Sequence, residues 1–339
     1  MGLLPMGGLA RCGSEAPAEP GVGGPLERWA LRCASQNLSA HRAGYPCSRE
    51  APARPARRQD LAPETPNDAG VSALILNADD LGASDAVNAA VRRAHIEGIL
   101  RSASLMVAER AASDAVELAR ELPSLDVGLH VALSCGRPAS PPGEIRALVG
   151  PDGRFPDDPA RSGLRAFFDP SARAQVRREV RAQFDAYEKT GLPCSHVDGH
   201  QHLHLHPVIW DAVVCECSRL GARWIRVPFE PFRPQSPGRT AARRMEWLFF
   251  RALRPRCLRS ARRAGLRVAD RVHGHLETGR MTADYVAGLI RQIECAVTEI
   301  YFHPGAAPDD VDLRTLLDPG VRAEAERRDL RLTGFRDLA

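Results

Sequence analysis

Two adjacent carboxylates, Asp79 and Asp80, stand in the run Asn77-Ala78-Asp79-Asp80-Leu81-Gly82. Burying two like charges side by side is costly unless a cation holds one of them. The pair therefore reads either as a helix-capping turn or as part of a cation site. The densest signal is Ser195-His196-Val197-Asp198-Gly199-His200-Gln201-His202-Leu203-His204-Leu205-His206-Pro207, where five of the chain's eleven histidines fall within eleven residues. In an extended segment His200, His202, His204 and His206 would share one face, because strand side chains alternate. Such a row of imidazoles suits a divalent metal, the alternative being a solvated polar turn. Gly128-Leu129-His130 and Tyr301-Phe302-His303-Pro304-Gly305 each put another imidazole after an apolar run. A lone histidine there is usually a core or turn residue; several at matching positions point to one shared site.

Those positions need elements to gather them. Ser72-Ala73-Leu74-Ile75-Leu76-Asn77 is a short apolar run ending in polar residues, as expected of a buried parallel strand. A helix follows, capped by Ser84 or Asp85, with Val87, Ala90, Val91 and Ala94 at helical spacing and Gly98 as its stop. Strands are predicted at 102–107, 126–131, 195–197, 223–227 and 298–302, and helices at 111–121, 172–190 and 207–219. A basic, less regular region runs from Pro231 to Arg271. This alternation implies a parallel sheet covered by helices. Chemically capable residues after at least four strands favour an α/β fold closed into a (β/α) barrel of seven or eight parallel strands. There is no internal repeat, G-x-G-x-x-G or P-loop.

Composition narrows the remainder. A net charge of +4 from 46 basic and 42 acidic residues gives little support to a nucleic-acid partner. No apolar run reaches the ~20 residues that span a bilayer, and the opening MGLLPMGGLARCG has no leader pattern, so the expectation is a soluble cytoplasmic protein without a transmembrane segment. Residues 1–70, rich in Gly, Pro, Ala, Ser and Arg, lack sustained periodicity and read as a disordered extension or a wrongly assigned start. The nine cysteines are scattered and lack zinc-ribbon spacing, so they read as reduced thiols.

From Val71 to the C-terminus, about four-fifths of its length, the chain resembles the YdjC-like carbohydrate deacetylases. The likeness rests on Asn-Ala-Asp-Asp-Leu-Gly at 77–82, Gly-Leu-His at 128–130, His-Val-Asp-Gly-His-Gln-His at 196–202 and His-Pro-Gly at 303–305, in the family's order. Leu81 departs from the family's more frequent Phe, a change that bears on packing. Within the family, Gly274-His275-Leu276-Glu277-Thr278-Gly279-Arg280-Met281-Thr282 and the run 298–304 are most similar to the branch associated with hopanoid biosynthesis rather than to the chitooligosaccharide enzymes.

The resemblance implies a barrel domain over 71–339 that hydrolyses the acetamido group of an N-acetylglucosamine-type sugar, with an N-acetylated hopanoid glycolipid as the finer expectation. It makes Asp80, His130 and His200 the ligands of one divalent metal, Asp79 the general base and His303 the general acid. His202 and Asp198 would orient ligands, or His202 would contact the sugar. Arg226 would contact substrate or pair with a carboxylate. Two imidazoles and a carboxylate suit Zn²⁺, Fe²⁺, Mn²⁺ or Co²⁺, whereas the family is commonly associated with Mg²⁺, so Mg²⁺ and Zn²⁺ both stand. Rival readings are a metal-dependent hydrolase of another bond, which would need further acidic ligands, and a catalytically silent metal- or sugar-binding protein. A homodimer remains open. The basic stretch from Arg233 to Arg271 reads either as a solvated helical face or as an approach to anionic lipid.

Overall fold

Apolar and polar residues alternate along the central strands, and that alternation decides what lies inside and outside the wall they build. The computed structural model describes residues 72–231, 241–305, 307 and 309–338. The expectation of a disordered segment at 1–70, and Cys12, Cys33 and Cys47 with it, lies outside them. In chain order the elements are β1 (Ala73–Leu81), α1 (Asp85–Ile96), β2 (Ser102–Leu105), α2 (Ala112–Glu121), β3 (Asp126–Val131), α3 (Pro159–Phe168), α4 (Pro170–Lys189), β4 (His196–Gly199), α5 (Pro207–Leu220), β5 (Trp224–Ile225), α6 (Ala241–Arg263), β6 (Arg271–His273), α7 (Ala283–Ile290), β7 (Val297–Phe302), α8 (Val311–Leu317), α9 (Pro319–Arg327) and β8 (Arg331–Leu332).

The strands lie in the order β5-β4-β3-β2-β1-β7-β6, with β8 beside the start of β1, and every pairing between them is parallel. The sheet curls until isolated bridges link its two edges: the Ile225 amide donates to the Arg267 carbonyl at 3.0 Å and the Val272 amide to the Phe229 carbonyl at 3.1 Å. The expected barrel of parallel strands is therefore the architecture found.

Leu74, Leu76 and Ala78 on β1, Val127 and Leu129 on β3, Val197 on β4, and Ile300 and Phe302 on β7 join one large apolar core with the surrounding helices. Ala73, Ile75, Trp224, Phe335 and Leu338 form a separate small cluster. Asn77, Asp79, Ser102, Ser104, His130, His196, Asp198, Arg226 and Glu299 are buried polar groups from the same strands or their ends. Parallel strands covered on both faces usually read as continuous apolar runs. Here alternate positions are polar, and those polar side chains are buried together.

Helix ends follow local rules. The Ser84 hydroxyl accepts from the Val87 amide to cap α1, as anticipated. Pro207 opens α5, where the His206 side chain accepts from Val208, and Gly221 closes it at φ 77. The region 231–271, expected to be less regular apart from a solvated, arginine-rich helical face, holds the 23-residue α6 and the start of the short strand β6. Leu253, Cys257 and Ala261 of α6 are buried at i, i+4, i+8 spacing, an apolar stripe masked in the sequence by the arginines around it.

Candidate active site

Asp79 and Asp80 are neighbours that face different surroundings. The β1–β2 register slips between Ala78 and Leu81, and Asp80 takes a left-handed conformation at φ 64, which aspartate tolerates better than most residues. Asp79 is buried, while the Asp80 side chain keeps 21% of its surface exposed at the mouth. Gly82 completes the turn at φ 89, where a Cβ would lie 3.0–3.2 Å from Leu105, Ala112 and Met106. Its amide donates to Asn88 Oδ1 at 2.8 Å.

The mouth gathers one carboxylate and two imidazoles. Asp80 Oδ1 is 2.9 Å from His200 Nδ1 and 3.2 Å from His130 Nε2, and the ligand-capable atoms of the three residues all lie within 4.8 Å of one another. His130 Nδ1 meets Asp198 Oδ1 at 2.7 Å. A carboxylate only accepts, so Nδ1 carries a proton and Nε2 is the nitrogen aimed toward Asp80 and His200, free to ligate once its own proton is lost. That Nε2 is buried and has no hydrogen-bond partner. Burial opposes charge on His130, yet Asp198 and Asp80 raise its pKa to about 10. Burial likewise opposes charge on His200, and the Asp80 carboxylate raises it to about 9. Burial alone would raise Asp80, but the two imidazoles hold it well below the usual carboxylate range. A cluster that draws protons onto two imidazoles is one that stabilises positive charge. The orphaned nitrogen and the nitrogen–oxygen donor set fit a divalent metal of the zinc type.

A second grouping of close ligand atoms, Asp79 with His130 and Asp198, is already committed elsewhere. The Arg226 guanidinium, 2% exposed, donates through Nη1 to Asp79 Oδ2 at 2.7 Å and through Nη2 to Asp79 Oδ1 at 2.8 Å. Its Nη2 is also 2.9 Å from Asp198 Oδ2, and its Nε donates to Glu299 Oε1 at 2.7 Å. Asn77 Nδ2 donates to Asp79 Oδ1 at 2.8 Å and to Ser104 Oγ at 2.8 Å, and Ser104 Oγ donates to Asp198 Oδ2 at 2.7 Å. Burial opposes the charge on Arg226, and Asp198, Asp79 and Glu299 together raise its pKa further. One cation among three carboxylates leaves Glu299 incompletely compensated. Burial pushes it up to about 7, with Arg226 holding it from going higher. Arg226 is thus the ion-pairing residue of the two alternatives, and its fork fixes the plane of Asp79.

The histidine row does not form along a strand. β4 stops at Gly199, and His200–Leu205 coils in tight turns with positive φ at Gln201 (52) and His202 (55), which sends each imidazole in a different direction. His200 faces Asp80, His202 Nε2 meets the Tyr301 hydroxyl at 2.9 Å, His204 Nε2 meets the Arg226 carbonyl at 2.9 Å, and His206 caps α5. His196 stacks on Phe335 at 4.1 Å. Burial depresses four of these rings, His196 and His204 to about 4 and His206 to about 3, with His202 also well below its ordinary value, so they serve as neutral packing and hydrogen-bonding groups. Gly128 makes room for one of them: a Cβ there would lie 2.4–2.5 Å from the His196 ring and carbonyl.

His303 follows β7 and is one-third exposed, with Nε2 4.0 Å from Asp79 Oδ2. Its amide donates to Asp312 Oδ2 at 2.8 Å, which ties the strand end to α8, and its ring lies edge-on to Tyr301 at 5.6 Å. Asp79, Asp80, Asp198, His130, His200, Arg226 and His303 therefore share one region, with His202 behind Tyr301. Reading the sequence missed Glu299, Ser104 and Tyr301. All three are polar residues at alternate positions of otherwise apolar strands, a pattern that marks them as facing inward.

A model of the YdjC-like protein family matches residues 73–331. Carbohydrate deacetylases of Brevibacillus brevis and Geobacillus stearothermophilus are 40% identical over 141 residues and 37% identical over 166 residues, covering 42% and 49% of this chain and 54% and 62% of theirs. The chain thus spans a little over half the length of the curated relatives it matches. A structure from Enterococcus faecalis V583, whose description proposes cellobiose-phosphate cleavage, superposes with a TM-score of 0.61 at 20% identity, covering 79% of this chain and 99% of that one. At that identity the likeness speaks for the fold alone.

Proposed function

Since the chain belongs to the YdjC-like proteins, we propose that it is a metal-dependent carbohydrate deacetylase that hydrolyses the amide of an N-acetylated amino sugar to acetate and the free amine. The observation that carries this reading is the juxtaposition of two differently held carboxylates: Asp80 converges with His130 and His200, while Asp79 is clamped by Arg226 beside them. Asp80, His130 and His200 would hold one divalent ion, which when bound polarises the acyl oxygen and acidifies water. Two imidazoles and one carboxylate favour Zn²⁺ over the harder Mg²⁺ on ligand chemistry.

The chain's own groups divide the proton traffic. Asp79, immobilised by the guanidinium fork and Asn77, takes a proton from the attacking water through the Oδ2 that faces His303. His303 Nε2 gives a proton to the amine nitrogen as the C–N bond breaks. Asp198 fixes the tautomer and orientation of His130. The substrate class is an N-acetylglucosamine-type sugar. An N-acetylglucosaminyl hopanoid is the finer assignment, supported by the likeness of residues 274–282, where His275 packs beside His202 and Phe250.

Acetate release from a panel of free N-acetylglucosamine, chitooligosaccharides and an N-acetylglucosaminyl glycolipid tests the reading, with protein stripped of metal and resupplied with Zn²⁺ or Mg²⁺, beside Asp79→Asn. Metal-dependent release that disappears in Asp79→Asn is expected. No release from any member despite stoichiometric metal binding would defeat it, and release from chitooligosaccharides but not the glycolipid would defeat the hopanoid assignment alone.

A further inference from the structure

The α6 helix turns one basic face to solvent. Its 23 residues include eight arginines and a single acid, Glu246, against a net charge of only +4 for the whole chain. The exposed positions are Arg244, Leu248, Arg251, Ala252, Pro255, Arg259, Arg262 and Arg263, which recur every three or four residues and so share one side of the helix. Leu253, Cys257 and Ala261 occupy the buried side. Arg259, Arg262 and Arg263 stand outside every ion pair formed among the described residues, and the cations crowd one another: burial, with Arg271 and Arg262 nearby, lowers the pKa of Arg254. Leu248, 42% exposed, is one of three large apolar side chains exposed among the described residues, the others being Ile96 and Phe168. It sits between the exposed Arg244 and Arg251 of its helix, beside Trp247, whose ring lies 5.3 Å from the Arg251 guanidinium.

The buried side of the same helix packs behind the site. Phe250 lies edge-on to His202 at 5.4 Å and to His275 at 5.0 Å, and His202 bonds Tyr301 beside His303.

We propose that this face docks on an anionic lipid surface. Arginines at headgroup level gain from the negative surface potential, and an apolar side chain among them, with a tryptophan at its flank, suits the headgroup boundary of a helix lying in the plane of a membrane. A nucleic acid would use the same charge but gives Leu248 no apolar environment. No helix among the described residues is long and apolar enough to cross a membrane, so the contact is peripheral. Docking would hold the protein at the surface where amphiphilic acetylated sugars reside; that consequence rests on the deacetylase reading, the docking itself does not.

Co-sedimentation of the full chain with phosphatidylcholine vesicles, with and without 30% phosphatidylglycerol, tests the docking without any turnover. Binding is expected only to the anionic vesicles, weakening with salt, with a blue shift of tryptophan emission. The triple variant Arg259→Gln, Arg262→Gln, Arg263→Gln, all exposed and bonded to none of the site residues, should weaken partition roughly a hundredfold at a few-fold per arginine. Its circular dichroism and its acetate release from a short soluble substrate should match the parent. Leu248→Ser should abolish the emission shift. Equal binding to neutral vesicles, anionic binding unaffected by the triple change, or tighter binding to a 20-base-pair DNA duplex than to the vesicles would each overturn the assignment.

Discussion

Glu299→Gln should change the stability of the metal-free protein by an amount that depends on pH, and the direction follows from the charge count around Arg226. Asp79, Asp198 and Glu299 share that one buried guanidinium, and Glu299, with Oε2 unpartnered, is pushed up to about 7. Unfolded, its carboxyl ionises near the ordinary value of about 4.3. A folded pKa raised above the unfolded one means that the folded state binds the proton more tightly. The associated stability is full below about pH 4 and is lost as pH rises through about 7. The total swing is on the order of 3 kcal/mol, of which roughly 2–3 kcal/mol falls between pH 5 and pH 8.5. Glutamine keeps the oxygen that accepts from Arg226 Nε, cannot ionise, and adds a buried amide donor whose cost does not vary with pH. Urea denaturation of both proteins in chelator at pH 5, 7 and 8.5 should therefore show the variant less stable at pH 5 and gaining on the parent by about 2 kcal/mol toward pH 8.5. A difference that stays constant across the series, or grows in the parent's favour, would mean that Glu299 is ionised throughout and that the buried charge count is wrong.

Three further outcomes follow from the same geometry. Asp79→Asn, which removes the proposed general base, should lower kcat by about 10²–10⁴-fold while leaving metal binding by the chain as in the parent, measured by acetate release beside metal analysis. Because His130 and His200 in the metal-free protein titrate near about 10 and about 9, Zn²⁺ binding at pH 7 should release close to two protons. Its apparent affinity should rise with pH until those values are passed, which calorimetry in buffers of different ionisation enthalpy will show; release near zero would contradict it. Arg226→Met strands three buried carboxylates and should cost about 3–5 kcal/mol, lowering the calorimetric Tm by roughly 10 °C.

How much of this was readable in the sequence depends on whether local rules or long-range geometry set each feature. The strand ends at Asp79, His130, Asp198 and His303 were legible because apolar runs turning polar mark the same edge of a parallel sheet, and the Ser84 cap obeys purely local chemistry. The histidine row failed for a local reason too: three residues after His196 the chain leaves the strand, and left-handed turns at Gln201 and His202 have no sequence signature, since neither residue demands positive φ. A helical face was legible in the arginine-rich stretch, but the length and buried side of α6 were not, because the charge obscures an apolar stripe only three turns long. Glu299 and Ser104 were passed over because strands were judged by their apolar residues, when the informative ones were the polar residues between them. In a barrel those alternate positions point inward. There, Ile75, Trp224 and Phe335 form an apolar cluster separate from the charged network of Asp79, Asp198, Arg226 and Glu299. The pattern that holds the wall together thus also delivers two unlike carboxylates to one mouth. Asp80 turns toward imidazoles by leaving the extended conformation, and Asp79 turns toward Arg226 by keeping it. A single backbone angle, φ 64 at Asp80, separates the two roles. Asp80→Gly would free that angle and remove the carboxylate, whereas Asp80→Asn keeps the turn and tests the charge.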